Sequence, residues 1–274
     1  RGWGWFPALS VTAACGLLLV AITNRMSGSG VQGVEVFFWL GLFVMVAPIT
    51  LRLLAARVAR VERLGLILLL GLDMYLVKFS QSPFAFTYSD EFVHLFNADQ
   101  IVATGRLFSP NLILPVSALY TGLESVTAAL MRLGGLDAFS AGIVVIGLAR
   151  IVMVMALFLL YERLSHSARA ASLACVIYAA NANFLFWSAQ FSYESLALPL
   201  AVLVLYVVTR REASRQVAER LGLTIVAAHY TAADAVVLSP KAAAFRPELT
   251  VTGPLLGGIA AAAIVVIFVT VAAL

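Results

Sequence analysis

Charged side chains are what this sequence has least of. Asp, Glu, Lys and Arg make up 12% of its 274 residues, about half the ~25% share of a soluble domain. A mean hydropathy of +0.99 leaves too few polar side chains to cover a water-facing exterior, so a soluble fold is excluded. Cysteine is nearly absent: Cys15 and Cys175 lie inside apolar runs at no disulfide-like spacing and read as small buried hydrophobes. No His/Cys spacing of metal-ligand type occurs in the sequence. Ten-residue segments of alternating polarity are missing too, which excludes an outer-membrane barrel. Neither an internal repeat nor a low-complexity tract is visible.

What is present is long apolar runs, at about 20 residues per crossing. Pro7–Thr23, Val34–Leu54, Leu64–Phe79, Phe139–Leu160, Arg169–Phe186, Leu196–Val208, Leu221–Leu238 and Val251–Leu274 are the expected spans. The fold class is therefore an all-α polytopic transmembrane bundle of about eight spans. The net charge of +4 would point to nucleic acid in a soluble protein. Here the basic residues cluster between apolar runs, at Arg52, Arg57, Arg60 and Arg63, at Arg163 and Arg169, and at Arg210, Arg211, Arg215 and Arg220. They read as cytoplasmic topology signals, so the expected partners are membrane lipids and not nucleic acid.

A ninth run, Ile113–Leu133, is interrupted by Pro115, Gly122 and Glu124. If it crossed, the Arg163 cluster would fall on the wrong side; it is expected to lie at, or dip into, the outer face, packed against protein. One long outer segment, Ser80 to Asp137, results. The chain begins at Arg1 and stops at Leu274 inside an apolar run, and we expect it to be trimmed. The expected organisation is two spans in 1–63, a core in 64–210 with its outer loop at 80–138, and further spans in 211–274.

Within the outer segment, Ser89 before Asp90 and Glu91 reads as a helix start and Gly105 as its stop, giving a short helix from Asp90 to Thr104. Its apolar residues recur at helical spacing while Asp90, His94 and Asn97 share another side, as on a helix lying on a membrane surface. A carboxylate there can accept a hydroxyl proton or hold a divalent cation; it can equally do no more than favour the helix N-terminus. Gln190, Tyr193 and Glu194 form one polar helical face at the start of a later span. Glu194 is either functional, as interfacial acids tend to be, or a hydrated capping group, and Gln190 suits a packing hydrogen bond.

The stretch Tyr88-Ser-Asp-Glu-Phe-Val-His94 through Asn97-Ala98 and Gly105 is similar to the acidic first outer loop of GT-C class membrane glycosyltransferases. Tyr120-Thr-Gly-Leu-Glu124 through Leu133-Gly134, the basic turn between Leu159 and Arg169, and the block from Asn181 through Gln190, Tyr193 and Glu194 to Pro199 resemble, in order, later parts of bacterial members that use polyprenyl-phosphate sugars. The chain has two spans before the span of the acidic loop, where the family usually has one. The resemblance implies an inverting transferase of the bacterial inner membrane, acting on the cell-envelope side. Its donor would be a lipid-linked sugar and its acceptor a glycan, lipid or protein. It makes Asp90 the catalytic base, or Glu91 if the register is shifted, and Glu194 the second acid. A divalent cation, Mg or Mn, is a cofactor such a site can use. His94, Tyr193, Gln190 and Arg106 would line the substrate, joined by His229 and Tyr230, although Ala228 stands where a first histidine is common in the family.

Other residues carry two readings. His229 can contact a phosphate or sit buried and hydrogen-bonded between helices. Arg150, in mid-span, must face protein or water; a salt bridge to Asp73 is the expectation, a phosphate partner the alternative. Lys78 and Arg106 would reach a lipid phosphate or snorkel to headgroups. Two competing functions follow: an ion-coupled transporter relaying through Asp73, Arg150, Asp234 and His229, and a non-catalytic GT-C-scaffold subunit.

Overall fold

The computed structural model describes residues 3–220 together with Ile225–Val226 and Val237–Leu238. Nine α-helices run through the described residues: α1 Phe6–Gly28, α2 Glu35–Leu54, α3 Arg60–Phe79, α4 Ser89–Thr104, α5 Gly122–Gly134, α6 Ala138–Ser165, α7 Ala168–Ala179, α8 Ala182–Leu185 and α9 Tyr193–Arg220. Four stretches are long and apolar enough to cross a membrane: α1, α2, α6 and Tyr193–Arg211 of α9. The pair α7 and α8 adds a fifth if its 77° bend is one broken span. The span count expected from sequence thus has two departures. Arg169–Phe186 is not one straight helix, and α3 carries Arg60, Glu62, Arg63, Asp73 and Lys78.

The ends of these helices are tied by polar contacts that set their directions. Glu62 accepts from the Trp5 amide at 2.9 Å and from both Nε and Nη2 of Arg52 at 2.8 and 3.0 Å, joining the start of α1 and the end of α2 to the start of α3. Asn24 donates to Ser80 at 2.8 Å, so α1 and α3 run in parallel. Arg60 meets Glu162 near the end of α6, while Tyr75 donates to the Ile143 carbonyl near its start, so α6 runs antiparallel to α3. Arg63 is buried and donates to Ser172 and to the carbonyls of Leu53 and Ala55, bringing the start of α7 to the same end. The basic residues Arg52 and Arg63 are thus internal ties. The α2–α3 and α6–α7 connections share one end of the bundle. Residues 80–137 and 180–193 share the other.

The helices meet closely where side chains are absent. A Cβ added at Gly16 would fall 2.6 Å from the Gly41 carbonyl oxygen, and one at Gly41 would fall 2.8 Å from that of Gly16. The main core runs through α1, α2, α3, α6 and α7 around Met45, Leu66, Leu70 and Phe158. A second cluster of Tyr75, Phe86, Leu123, Ile146 and Phe191 fastens residues 80–137 to the bundle.

This bundle ends at Leu203 as a compact unit; residues from Val204 onward belong to a second one. In the second unit Ile225–Val226 pairs antiparallel with Val237–Leu238. Those residues fall in the expected span Leu221–Leu238 and are strand, not helix: short runs of β-branched and aliphatic residues carry no period that separates the two. The remainder of that run, with His229, Tyr230 and Asp234, and the run Val251–Leu274 lie outside the described residues.

Candidate functional site

The site is built on α4, whose bounds match the expected helix within a residue. Its cap differs from expectation. Tyr88, not Ser89, stands at the cap, because Glu91 in the first turn reaches back to accept from the backbone amides of Thr87 at 3.1 Å and Tyr88 at 3.2 Å. Gly105 ends the helix in the left-handed region at φ 66°, its amide bonded to the Ile101 carbonyl at 2.9 Å.

Adjacent acids in sequence have opposite surroundings here. Glu91 is fully buried: Lys78 Nζ lies 2.5 Å from Oε1, which also accepts from the Phe191 amide at 3.2 Å. With the two cap amides on Oε2, four donors occupy this carboxylate. It joins the end of α3, the start of α4 and the turn before α9, and has no oxygen left for a substrate proton. Lys78 is buried beside it and is not a snorkelling side chain. Asp90, one position earlier, is exposed.

One turn on, His94 Nδ1 meets Glu124 Oε1 of α5 at 2.5 Å, with both side chains buried. Glu124 Oε2 has no partner. The His94 ring stands edge-on to Tyr193, 5.6 Å between centroids, and Tyr193 stacks on Tyr120 at 5.4 Å and 19°. Asp90 and Glu194 are both exposed; Asp90 stands one turn before His94 on α4, and Glu194 directly follows Tyr193 at the start of α9. Asp90, His94, Tyr193 and Glu194 are therefore brought together at one end of the bundle. Gln190 is buried next to them in sequence, its Nε2 without a partner.

Arg106 is not part of this group. It follows the far end of the 16-residue α4, roughly 24 Å from Asp90 at 1.5 Å per residue, too far to share a reacting centre with it. His229 and Tyr230 lie outside the described residues. Glu124 and Tyr120, which close the site, have no role assigned by the sequence motif in which they stand. The signal was available: an ionisable residue inside an apolar run needs a partner, and His94 is the histidine on the outer segment.

Arg150 also departs from expectation. Its guanidinium donates to Ser188 Oγ at 2.5 Å and to the Phe184 carbonyl, and its Cζ lies 3.6 Å from the centroid of the Phe184 ring. It makes no ion pair with Asp73, whose Oδ2 is buried without a partner. The Phe184 carbonyl, in the short helix α8 that follows the break, takes the cation instead. The arginine thus holds the bent segment between α7 and α9.

Among the described residues no three His, Cys, Asp or Glu side chains come together as a metal-holding group. Asp90 and Glu194 alone do not make the oxygen cage a hard cation takes, so no step is derived through one. No family model, curated protein or solved structure matches the chain.

Proposed function

We propose that this chain is a membrane glycosyltransferase of GT-C type, moving a sugar from a polyprenyl-phosphate-linked donor to an acceptor on the extracytoplasmic face of a bacterial inner membrane. The observation that carries this reading is the contact of Tyr193, which adjoins the exposed Glu194, with His94, one turn after the exposed Asp90, at the bundle end where residues 80–137 pack. Asp90 serves as base: it takes the acceptor hydroxyl proton while the oxygen attacks the anomeric carbon, and the donor phosphate leaves with the bonding pair and inversion of configuration. Glu91 is excluded from that role by its four donors. Glu194, across Tyr193, accepts from sugar or acceptor hydroxyls. The buried His94–Glu124 pair supports the tyrosine from below.

The experiment is transfer of a radiolabelled sugar from a polyprenyl-phosphate donor by the reconstituted full chain. Asp90→Asn is expected to lower the rate on the order of 10² to 10⁴-fold while thermal unfolding stays unchanged. Wild-type rates in both Asp90→Asn and Glu194→Gln would refute the catalytic reading and favour the scaffold subunit. The transporter reading draws on the bent α7–α8 pair, since discontinuous helices mark transport sites; substrate uptake into vesicles, blocked by Asp73→Asn, would favour it.

A further inference from the structure

Polar and apolar residues change places in the loop between α4 and α5. From Leu107 to Leu123 the chain carries no Asp, Glu, Lys, Arg or His. Its large side chains face outward: Leu112 is 93% exposed, Ile113 73%, and Phe108, Leu114, Val116 and Leu119 are exposed with them. Its polar side chains face inward. Asn111 is buried, accepts from the amides of Ile113 at 2.8 Å and Leu114 at 3.1 Å, and donates to Asn97 Oδ1 at 2.8 Å. Asn97 donates in turn to Ser117 Oγ at 3.0 Å, and Ser117 donates to the Leu114 carbonyl at 2.7 Å. Both asparagines and the serine are spent on the loop's own backbone and on one another.

In water this arrangement exposes aliphatic surface while hiding the groups that would keep it soluble. In hydrocarbon the capture of the Ile113 and Leu114 amides by Asn111 meets part of what irregular backbone needs there, because amides and carbonyls must find partners within the protein. Phe108 at φ 58° opens the loop in a conformation costly for an aromatic residue, and Pro110 and Pro115 stiffen the two sides of the tip. Apolar side chains are exposed on neighbouring elements too: the half of α6 at the same end exposes Val144 and Leu148, and α4 exposes Phe92 and Phe96. A patch this apolar marks an interaction surface, and in a chain whose α1, α2 and α6 are long and apolar enough to cross a membrane, hydrocarbon is the apolar phase at hand.

We propose that residues 107–121 form a finger inserted in the hydrocarbon of the outer leaflet, with Leu112, Ile113 and Leu114 at its tip. From the sequence, Ile113–Leu133 is expected to be one helix lying at, or dipping into, the outer face; here the part that dips is the irregular loop and not a helix. The element after it, α5, buries Leu123, Glu124, Ser125, Thr127 and Ala128 against the protein, whereas the irregular loop faces lipid. The finger ends at Tyr120, which stacks on Tyr193, so it ties the rim of the site to the lipid surface. The proposal stands whether or not the site transfers sugar.

The test uses the full chain in vesicles of phosphatidylcholine and phosphatidylglycerol, with a spin label on Ile113→Cys in a Cys15→Ala, Cys175→Ala background. Labels at Phe43→Cys on α2 and Gln81→Cys after α3 serve as lipid and water references. At 113, collisions with oxygen should exceed those with a water-soluble nickel chelate several-fold, as at 43. Nickel accessibility equal to that at 81 would overturn the proposal. Shielding from both reagents would overturn it too, assigning the surface to a second copy or another subunit. An unsubstituted chain supplies the independent measurement: photolysis with a phosphatidylcholine carrying an acyl-chain diazirine should leave adducts on the 107–123 peptide. Adducts confined to the spanning helices would refute insertion.

Discussion

Lys78 Nζ and Glu91 Oε1 lie 2.5 Å apart in a site from which water is excluded. Removing one partner leaves the other as an uncompensated buried charge, which costs about 3–5 kcal/mol, whereas replacing both by apolar groups is often close to neutral. Lys78→Met alone should therefore lower the unfolding temperature in detergent sharply. The double variant Lys78→Met, Glu91→Leu should recover only part of the loss, because Glu91 also satisfies three backbone amides. A full recovery would mean that those amides find other acceptors.

Arg150 and Asp73 should respond unequally to substitution. Arg150→Leu strips donors from Ser188 and the Phe184 carbonyl and should speed hydrogen exchange across residues 184–192 with a marked loss of stability. Asp73→Asn removes no ion pair and should change stability by less than about 1 kcal/mol. Equal losses would indicate that the two residues do pair in the bilayer.

The Gly16–Gly41 crossing leaves no room for a side chain on either backbone. Gly41→Leu should push α1 from α2 and cost at least the roughly 1–3 kcal/mol of ordinary overpacking, since the obstacle is a carbonyl and not a movable side chain. Thermal unfolding with a Gly33→Ala control, whose position is open, measures the difference. The control also adds strain, Gly33 having φ 77°, so Gly41→Leu must exceed it clearly.

Glu62, in the first turn of α3, has its carboxyl held below the usual range, chiefly by the Arg52 guanidinium, with burial opposing. A depressed folded value stabilises the protein above the unfolded value, and that stability disappears as pH falls through the folded one. Unfolding midpoints should therefore decline below about pH 4.3, the ordinary glutamate value. Arg52→Gln should lower stability at neutral pH and flatten that acid limb. An unchanged acid limb in Arg52→Gln would assign it to other carboxyls.

Much of the bundle was legible because hydrophobic periodicity and length are local. The spans matching α1, α2 and α6, and the helix α4 with its glycine stop, follow from residues within a turn or two of each boundary. What a sequence does not reveal is which of two adjacent acids faces inward. Asp90 and Glu91 are chemically alike, and their fates are set by Lys78 and by the Phe191 amide, 13 and 100 residues away. The break in Arg169–Phe186 was hidden for the same reason: the run is apolar throughout, and the arginine that holds it bent is in another helix. Ile113–Leu133 reads as one element from sequence because Pro115, Gly122 and Glu124 look like interruptions within a single apolar run. Asn111, which folds the loop on itself, lies just before that run.

The last donor to reach Glu91 is the amide of Phe191, supplied 100 residues later in the chain. At roughly 5–20 residues per second of synthesis, that delay is on the order of 5 to 20 s. Residues 80–137 are thus made first and locked afterwards: until synthesis has passed residue 191, the junction at Glu91 lacks one of its amide donors. A nascent chain arrested before residue 191 should expose residues 80–137 to added protease, and the same residues should become resistant once synthesis passes that point.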